Sequence, residues 1–246
     1  MALFNQIAHR YDSWYTTPRG QLVDTIQKKM VRDLAEPQPG EVVLDLGCGT
    51  GNYSIELANY GCRITGIDIS EGMLAEAKRK ANNLNLAIDW RQADLASLPF
   101  SEETFDLVLT VTALEFVSDP RGALLEAMRV LKPGGRLIVG VLSSDSSWGE
   151  MYRKEAVDNP ESVFAAAHLY GQDELTSLLP NCMRILGGLF IPPGSPEINI
   201  TEAANIEKAR QLEYNSFIKN HAKPGFLVAR WNKSHTSISN RYGLAN

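Results

Sequence analysis

The sequence predicts an α/β fold, with a mostly parallel β-sheet and helices on both of its faces. Short apolar runs alternate with amphipathic helical patterns between residues 42 and 142, an order typical of parallel strands joined by helical crossovers. A glycine-dense turn follows the first apolar run. The length of 246 residues suits one domain with an added cap. We therefore expect a single domain.

The composition is that of an ordinary globular protein. Hydrophobic residues make up 44% of the chain and charged residues 22%, so neither a disordered chain nor a membrane protein is indicated. No apolar run reaches the ~18 residues that a transmembrane helix needs. The first residues lack the apolar stretch of a signal peptide. These observations predict a cytoplasmic location.

Charge and cysteine content narrow the expected partners. The formal net charge of −5 disfavours nonspecific binding to nucleic-acid phosphates. Cys48, Cys62 and Cys182 are far apart and form no CxxC pair, which predicts reduced thiols, no disulfide framework and no zinc site. We expect a small-molecule partner, no nucleic acid and no metal.

The elements of the first 142 residues follow in a regular order. Residues 1–40 are predicted to be helical, because apolar side chains recur at three- and four-residue spacings between Gln21 and Glu36. Pro37 and the pair Pro39-Gly40 end this helix. The core, residues 41–142, is predicted to contain strands at 42–46, 63–68, 87–92, 105–110 and 136–142, and helices that begin at Tyr53, Glu71 and Pro120.

The alternation breaks after Leu142. Residues 143–170 are interpreted as an inserted cap, within a C-terminal region that extends to residue 233. This region is predicted to contain a short helix at 172–179, an apolar run at 185–191, a helix at 202–219 and a strand at 226–231. Pro133-Gly134-Gly135 predicts a turn before the fifth strand, and the residues from Ser234 predict a frayed tail.

The glycine-dense turn carries the strongest functional signal. Gly47, Gly49 and Gly51 follow the first predicted strand, at the edge where open α/β sheets bind nucleoside-bearing ligands. Glycine permits positive φ and lets a ligand approach the backbone without meeting a Cβ. The dinucleotide fingerprint would place its third glycine where this chain has Asn52. The turn therefore favours a nucleotide-like cofactor and argues against a nicotinamide dinucleotide.

Asp68 is a second candidate ligand residue. It stands 21 positions after Gly47, at the end of the second predicted strand. An acidic side chain at this spacing accepts hydrogen bonds from ribose hydroxyls. The alternative for this loop is simple helix capping by Ser70.

Four segments of the chain form an ordered series. They are VVLDLGCGTGNYSIELA, IDIS, QADLASLPFSEETFDLVLTVTALEFVSD and RVLKPGGRLIV. This series resembles the motifs of class I, seven-strand S-adenosylmethionine-dependent methyltransferases, and is most similar to the branch of the ubiquinone/menaquinone-biosynthesis enzymes, methyltransferase type 11. The resemblance covers about residues 41–142 closely and FNQIAHRYDSWY, HLYGQDELTSLL and GFLVARWNK more loosely. It implies a Rossmann-like seven-stranded sheet.

The resemblance also implies a reaction and a cofactor site. The reaction would move the methyl group of S-adenosylmethionine to a small acceptor by in-line displacement, leaving S-adenosylhomocysteine. The glycine turn and Asp45 would hold the methionine part, Asp68 the ribose, and the end of the fourth strand would pass beneath the sulfonium. Ordinary helix core is the alternative for Met73, turn capping for Asp94 and a small filler role for Cys48. The implied cofactor residues are Asp45, Gly47, Cys48, Gly49, Gly51, Asp68, Ile69, Met73, Asp94, Leu95, Thr110, Val111 and Thr112.

Three residues are candidates for a catalytic base, which is needed only if the acceptor must lose a proton. Tyr11 lies in an aromatic N-terminal segment that either closes over the cofactor or packs on the sheet edge. Glu115 stands where many relatives carry a histidine, and a solvated or capping glutamate is its alternative. His168 lies in the predicted cap, where a structural histidine is the alternative.

Two further interpretations concern the surface and the cap. The run Lys78-Arg79-Lys80 predicts a solvated helix face. The cap's polar and aromatic side chains would surround a partly apolar acceptor or else anchor the insertion. They are Trp148, Tyr152, Phe164, His168 and Tyr170.

The rival functions are a noncatalytic S-adenosylmethionine-binding protein and, less favoured, a nicotinamide-dependent oxidoreductase.

Overall fold

A seven-stranded sheet forms the centre of the part of the chain described by the computed structural model, residues 3–196, 206–220 and 222–235. Its strands are β1 (Val42–Leu46), β2 (Arg63–Asp68), β3 (Asp89–Gln92), β4 (Phe105–Val111), β5 (Leu131–Leu142), β6 (Arg184–Gly188) and β7 (Phe226–Asn232). They lie in the order β3-β2-β1-β4-β5-β7-β6. The predicted α/β fold with a Rossmann-like seven-stranded sheet is confirmed.

Helices cover both faces of this sheet. They are α1 (Ala8–Tyr11), α2 (Pro18–Ala35), α3 (Asn52–Asn59), α4 (Glu71–Asn83), α5 (Pro120–Val130), α6 (Ser147–Asp158), α7 (Gln172–Ser177) and α8 (Ile206–Asn220). Short 3₁₀ helices lie at Leu3–Gln6, Asp12–Thr16, Leu114–Phe116 and Val163–Ala166. None of the helices within the described residues is both long and apolar enough to cross a membrane.

The order of the parallel strands changes direction at β1, because β2 and β3 lie on one side of it and β4 and β5 lie on the other. β1 pairs in parallel with β2 on one side and with β4 on the other. β3 and β5 extend these two sides in parallel, and β7 pairs antiparallel with both β5 and β6. The carboxyl ends of β1, β2 and β4 therefore meet at one edge, which is the switch point where ligands bind in open α/β sheets.

Alternating residues along each strand pack into the two layers of the core, one on each face of the sheet. Val43 and Leu107 pack with α2 on one face, in a cluster that includes Leu22. Leu44 and Val108 pack on the other face against α5. The period of two along each strand follows from the pleat, which points successive side chains to opposite faces. Helices on both faces thus hold the switch-point edge in place.

Several predicted boundaries differ from the observed ones. Helix α2 begins at Pro18 rather than at residue 21, because the Thr17 hydroxyl caps it by accepting the Gly20 amide at 3.0 Å. β3 begins at Asp89 rather than at residue 87, and α7 is shorter than predicted. The predicted helical residues 202–205 and nearly all of the predicted tail lie outside the described residues.

The turn predicted at Pro133-Gly134-Gly135 lies inside β5. Phe105 pairs with Leu131 and Leu107 with Arg136, so several extra residues of β5 stand opposite one residue of β4. Backbone bonds to Lys233 hold this bulge from the other side, with Gly134 donating at 2.9 Å. Because these partners are distant in the sequence, the local turn signal did not reveal the strand.

The insertion at residues 143–170 leaves and rejoins the sheet at the carboxyl end of β5. The Tyr170 amide donates to the Leu142 carbonyl at 3.1 Å, and the Ser144 amide donates to the Tyr170 carbonyl at 2.9 Å. Within the insertion, Trp148 is 1% exposed, and its indole N–H donates to the Ile191 carbonyl at 2.8 Å. The insertion is therefore anchored in the core beside the switch-point edge.

Candidate active site

A cleft of about 540 Å³ opens at the switch-point edge. Its wall comes from the turns that follow β1, β2, β3 and β4, from the N-terminal segment (residues 3–16) and from one residue of the insertion. The predicted cofactor residues meet here, apart from Gly51 and Thr110. Those that line the cleft are Asp45, Gly47, Cys48, Gly49, Asp68, Ile69, Met73, Asp94, Leu95, Val111 and Thr112.

The glycine turn is left-handed at each of its glycines, but they serve different purposes. Gly49 has φ +54°, and a Cβ built there would meet no atom within 4 Å. Its backbone can therefore be approached closely by a ligand. At Gly51 a Cβ would lie 2.6 Å from Trp90 Cη2. Gly51 is thus required for packing behind the turn and does not line the cleft. Its cofactor contact stays a prediction.

Asp68 braces the turn from the end of β2. Its two carboxylate oxygens accept the backbone amides of Gly49 and Ser70, each at 2.8 Å. Burial raises the pKa of Asp68, and these hydrogen bonds oppose the rise. Ser70 also caps α4, its hydroxyl accepting the Met73 amide at 3.1 Å. A carboxylate oxygen can accept more than one hydrogen bond, so Asp68 keeps acceptor capacity towards the cleft.

Asp45 is the most buried carboxyl group in the cleft wall, with 2% of its surface exposed. It accepts a hydrogen bond of 2.6 Å from the Ser54 hydroxyl. Burial raises the pKa of Asp45 to about 7, the Ser54 bond lowers it, and the charge of Asp68 adds to the rise. A nearby cation favours the ionised form of such a group, so the site suits a ligand ammonium.

The adenine-side candidates form a shallower part of the wall. Asp94 and Leu95 line the cleft with Ile69, which is more than half exposed. The Asp94 carboxylate also accepts the Ala96 amide at 2.9 Å, the capping bond that was its alternative. Met73 belongs to the buried core and lines the cleft as well. Turn capping by Asp94 and a core position for Met73 are therefore both compatible with a place in the cleft wall.

The end of β4 contributes two of its three predicted residues. Val111 and Thr112 line the cleft, and Thr112 has φ +50°. Thr110 is buried and does not line the cleft, and its hydroxyl has no hydrogen-bond partner among the described residues. The predicted place of Thr110 beneath the sulfonium stays a prediction, and Thr110 stands one residue before Val111, which lines the cleft.

The N-terminal segment covers the cleft with aromatic rings. Phe4, Tyr11 and Tyr15 line it, and Phe4 meets Phe116 edge to face at 4.9 Å between ring centroids. Burial raises the pKa of Tyr11, and a hydrogen bond from the Tyr15 side chain lowers it by a smaller amount. A phenol with a raised pKa stays protonated at neutral pH. Tyr11 is therefore suited to be a wall or a hydrogen-bond donor rather than a base.

Glu115 lies behind the wall, between the lining residues Ala113 and Phe116. It is 2% exposed, and its Oε1 accepts the Leu142 amide at 2.7 Å. Its Oε2 has no hydrogen-bond partner among the described residues. Burial raises the pKa of Glu115 to about 7. Glu115 is thus a buried residue rather than a solvated one, with an ionisation poised near neutrality.

The predicted cap residues do not face the cleft. The His168 side chain is 60% exposed and pairs with Glu174 at 2.6 Å. Tyr152 stacks on Phe164 with 4.5 Å between ring centroids, and the Tyr170 hydroxyl is buried and donates to a backbone carbonyl. None of these residues, nor Trp148, lines the cleft, which favours the alternative that they anchor the insertion. The role of His168 as a base stays a prediction. Ala166 is the insertion's residue in the wall.

Several wall residues escaped the sequence analysis. Thr50 and Asn52 stand in the glycine turn itself. Asn52 was considered there only as a departure from the dinucleotide fingerprint, and Thr50 was not considered. The remaining wall residues were not predicted as cofactor or catalytic residues, although the N-terminal ones among them belong to the aromatic segment for which closure over the cofactor was one alternative. They are Phe4, Tyr15, Tyr53, Ala96, Ala113, Phe116, Val117, Ser118 and Ala166.

The Asp, Glu, Lys, Arg and His residues among the described lining of the cleft are all acidic. Asp45, Asp68 and Asp94 line it, and the described lining residues include no lysine, arginine or histidine. Burial raises the pKa of the Cys48 thiol well above its usual range, which keeps that thiol uncharged. The cleft therefore favours ligands that carry positive charge or hydrogen-bond donors.

Residues 44–139 match a protein-family model described as a methyltransferase domain. The chain is 39% identical over 137 residues to a demethylmenaquinone methyltransferase of Tropheryma whipplei, covering 56% of each chain. It is 36% identical over 141 residues to the ubiquinone/menaquinone biosynthesis C-methyltransferase of Cereibacter sphaeroides, again covering 56% of each. The chain thus spans little more than half the length of these curated relatives.

A solved structure extends the likeness to nearly the whole chain. It is an S-adenosylmethionine-dependent methyltransferase of Thermotoga maritima, described as a possible histamine N-methyltransferase. The two structures align with a TM-score of 0.71 and 26% sequence identity, covering 94% of this chain and 98% of the other.

Proposed function

Because the chain carries a class I S-adenosylmethionine-dependent methyltransferase domain, we propose that it transfers the cofactor's methyl group to a small acceptor in the cleft. The observation that carries the proposal is the meeting of the glycine turn, Asp68 and Asp94 around one cleft at the switch point. The proposal places the reaction in the cytoplasm, with a small molecule and no nucleic acid as partner.

The chemistry of the wall fits this cofactor. Asp45 offers a carboxylate to the ammonium of the methionine part, and Asp68 offers acceptors to the ribose hydroxyls. Asp94 and Leu95 offer an acceptor and an apolar edge to the adenine. The open space at Gly49 lets the cofactor approach the backbone. A cofactor without a diphosphate has no need of the cationic side chains that the described wall lacks.

The protein's part in the reaction is mainly orientation. S-adenosylmethionine supplies an activated methyl group on a sulfonium, whose carbon–sulfur bond electrons stay with sulfur as the acceptor takes the methyl. Val111 and Thr112 form one part of the cleft wall, and the aromatic rings of Phe4 and Tyr11 form another. We assign the first pair to positioning and the aromatic pair to limiting the access of water. Holding the acceptor atom ~3–3.5 Å from the methyl carbon, in line with sulfur, lowers much of the barrier.

The wall also limits the acceptor. Phe4, Tyr15, Phe116, Val117 and Ala166 give an apolar and aromatic surface, which suits a small, partly apolar molecule. The carboxyl groups disfavour an acceptor with net negative charge. If the acceptor must lose a proton, Glu115 is the candidate base with the most favourable pKa, and its carboxyl group lies behind the cleft wall. Tyr11 stays protonated at neutral pH, and His168 lies outside the cleft.

The proposal is tested with isotopically labelled methyl donor and a metabolite extract. Wild-type protein should transfer label to an extract component, and a Gly49→Val variant should lose transfer because its side chain enters the cleft. Gly40→Val is the matched control: Gly40 also has positive φ and open space around its Cβ position, but it does not line the cleft. Cofactor binding without transfer to any component would favour the noncatalytic alternative.

A further inference from the structure

Lys80 lies where the N-terminal segment meets the glycine turn. Its ammonium donates hydrogen bonds to Asp12 at 2.8 Å, to Thr50 at 3.2 Å and to Asn52. An ammonium has three donors, so these three acceptors use all of them. The expected solvated face is wrong at this position, because only 20% of the Lys80 side chain is exposed.

The acceptors of Lys80 also bind one another. The Thr50 hydroxyl donates to the second carboxylate oxygen of Asp12 at 2.7 Å. Thr50 is buried, and burial lowers the pKa of Lys80 while Asp12 opposes that effect. Charge-assisted bonds withdrawn from solvent are stronger than ordinary surface ion pairs. The four side chains thus form a closed network rather than an isolated salt bridge.

Helix α4 holds the N-terminal segment at a second point. The Asn5 side-chain oxygen accepts the Ser70 hydroxyl at 2.6 Å and the Gly72 amide at 3.1 Å, at the start of α4. The two attachment points, Asn5 and Asp12, lie next in sequence to Phe4 and Tyr11, which line the cleft. The same helix therefore places both aromatic residues over it.

We propose that Lys80 is a positioning residue that couples closure of the N-terminal segment to occupation of the glycine turn by the cofactor. Thr50 and Asn52 belong to the cleft wall, whereas Asp12 belongs to the segment that covers it, and Lys80 binds both sides. A ligand that orders the turn also orders the acceptors that hold the segment closed, and this coupling is reciprocal. The inference rests on the proposed function, because it takes S-adenosylmethionine as the ligand.

The first test compares Lys80→Met with Lys78→Met, an exposed lysine on the same helix. S-adenosylhomocysteine should dissociate from Lys80→Met about tenfold faster than from wild type, the effect of losing charge-assisted bonds. Lys78→Met should keep the wild-type rate. Asp12→Asn should match Lys80→Met, and the double variant should dissociate no faster than either single variant. Additive effects of the two substitutions would overturn the coupling.

The second test separates this inference from the proposed function. Without ligand, Lys80→Met should raise amide hydrogen exchange in residues 3–16 more than elsewhere, and Lys78→Met should not. Failure of folded wild-type protein to bind S-adenosylhomocysteine would refute the proposed function and, with it, the coupling to this cofactor. Wild-type binding together with an unchanged dissociation rate in Lys80→Met would refute the positioning role alone, whether or not exchange in the segment increases.

Discussion

Two buried carboxyl groups give the site its expected pH behaviour. Asp45 and Glu115 both have pKa values raised to about 7 by burial, against ordinary values of 3.8 and 4.5. Asp45 lines the cleft, and Glu115 lies directly behind it. Groups that ionise near neutrality are common at functional sites. Their different positions predict two different measurable effects.

Affinity for S-adenosylhomocysteine should rise with pH between 5.5 and 7.5. A ligand ammonium beside Asp45 requires the carboxylate, so binding below pH 7 must displace a proton. The affinity should increase by at most about tenfold per pH unit and level off above pH 7. Titration calorimetry across this range measures the effect, with Asp45→Asn as the weaker-binding control without this dependence. A flat wild-type profile would exclude the ammonium role of Asp45.

The contribution of Glu115 to the stability of the folded protein should decrease as pH rises. Its folded-state pKa of about 7 exceeds the ordinary value of 4.5, so the folded protein binds the proton more tightly than the unfolded chain. The contribution is present below pH 4.5 and is lost as pH rises towards 7. The melting temperature of Glu115→Gln relative to wild type should therefore be higher at pH 8 than at pH 5. A difference that stays constant with pH would contradict the burial of an ionisable group here.

At the scale of elements, local patterns predicted most strands and the glycine turn. The strands β1 and β2 have the predicted bounds, because their apolar runs are local signals and the glycine turn ends β1. The Pro133-Gly134-Gly135 bulge and the Lys80 network were not predictable in this way. Both depend on partners that are distant in the sequence, Lys233 in one case and Asp12 in the other.

Trp148 of the insertion is expected to contribute stability rather than acceptor binding. Trp148 is buried and bonded to the Ile191 carbonyl, so Trp148→Ala should lower the free energy of unfolding by about 3–5 kcal/mol. Chemical denaturation measures this loss. Trp148→Phe keeps an aromatic ring but loses the hydrogen bond, so its free energy of unfolding should lie between those of wild type and Trp148→Ala. Below the unfolding transition, affinity for S-adenosylhomocysteine should stay near that of wild type. Loss of methyl transfer in folded Trp148→Ala protein that still binds the cofactor would restore a site role for Trp148.

At the scale of the whole molecule, the fold brings the turns after β1, β2 and β4 to one edge. The sequence predicted this edge and most of the residues proposed to hold the cofactor, because each follows its own strand. The acceptor side was predicted only in part. Closure of the N-terminal segment over the cofactor was one of two alternatives for Tyr11, whereas no local signal indicated the place of Ala166 in the wall. The predicted selector, the polar and aromatic side chains of the insertion, instead packs inward or faces solvent.

The most direct test of the account is calorimetric titration of wild-type protein with S-adenosylhomocysteine, alongside reduced nicotinamide dinucleotide. The account predicts saturable one-to-one binding of S-adenosylhomocysteine and much weaker binding of the dinucleotide. Asp68→Ala should weaken the binding by about 1–3 kcal/mol through the loss of a ribose acceptor, with folding checked by circular dichroism. No binding to folded wild-type protein, tighter binding of the dinucleotide, or unchanged affinity in folded Asp68→Ala would contradict the assignment of this cleft.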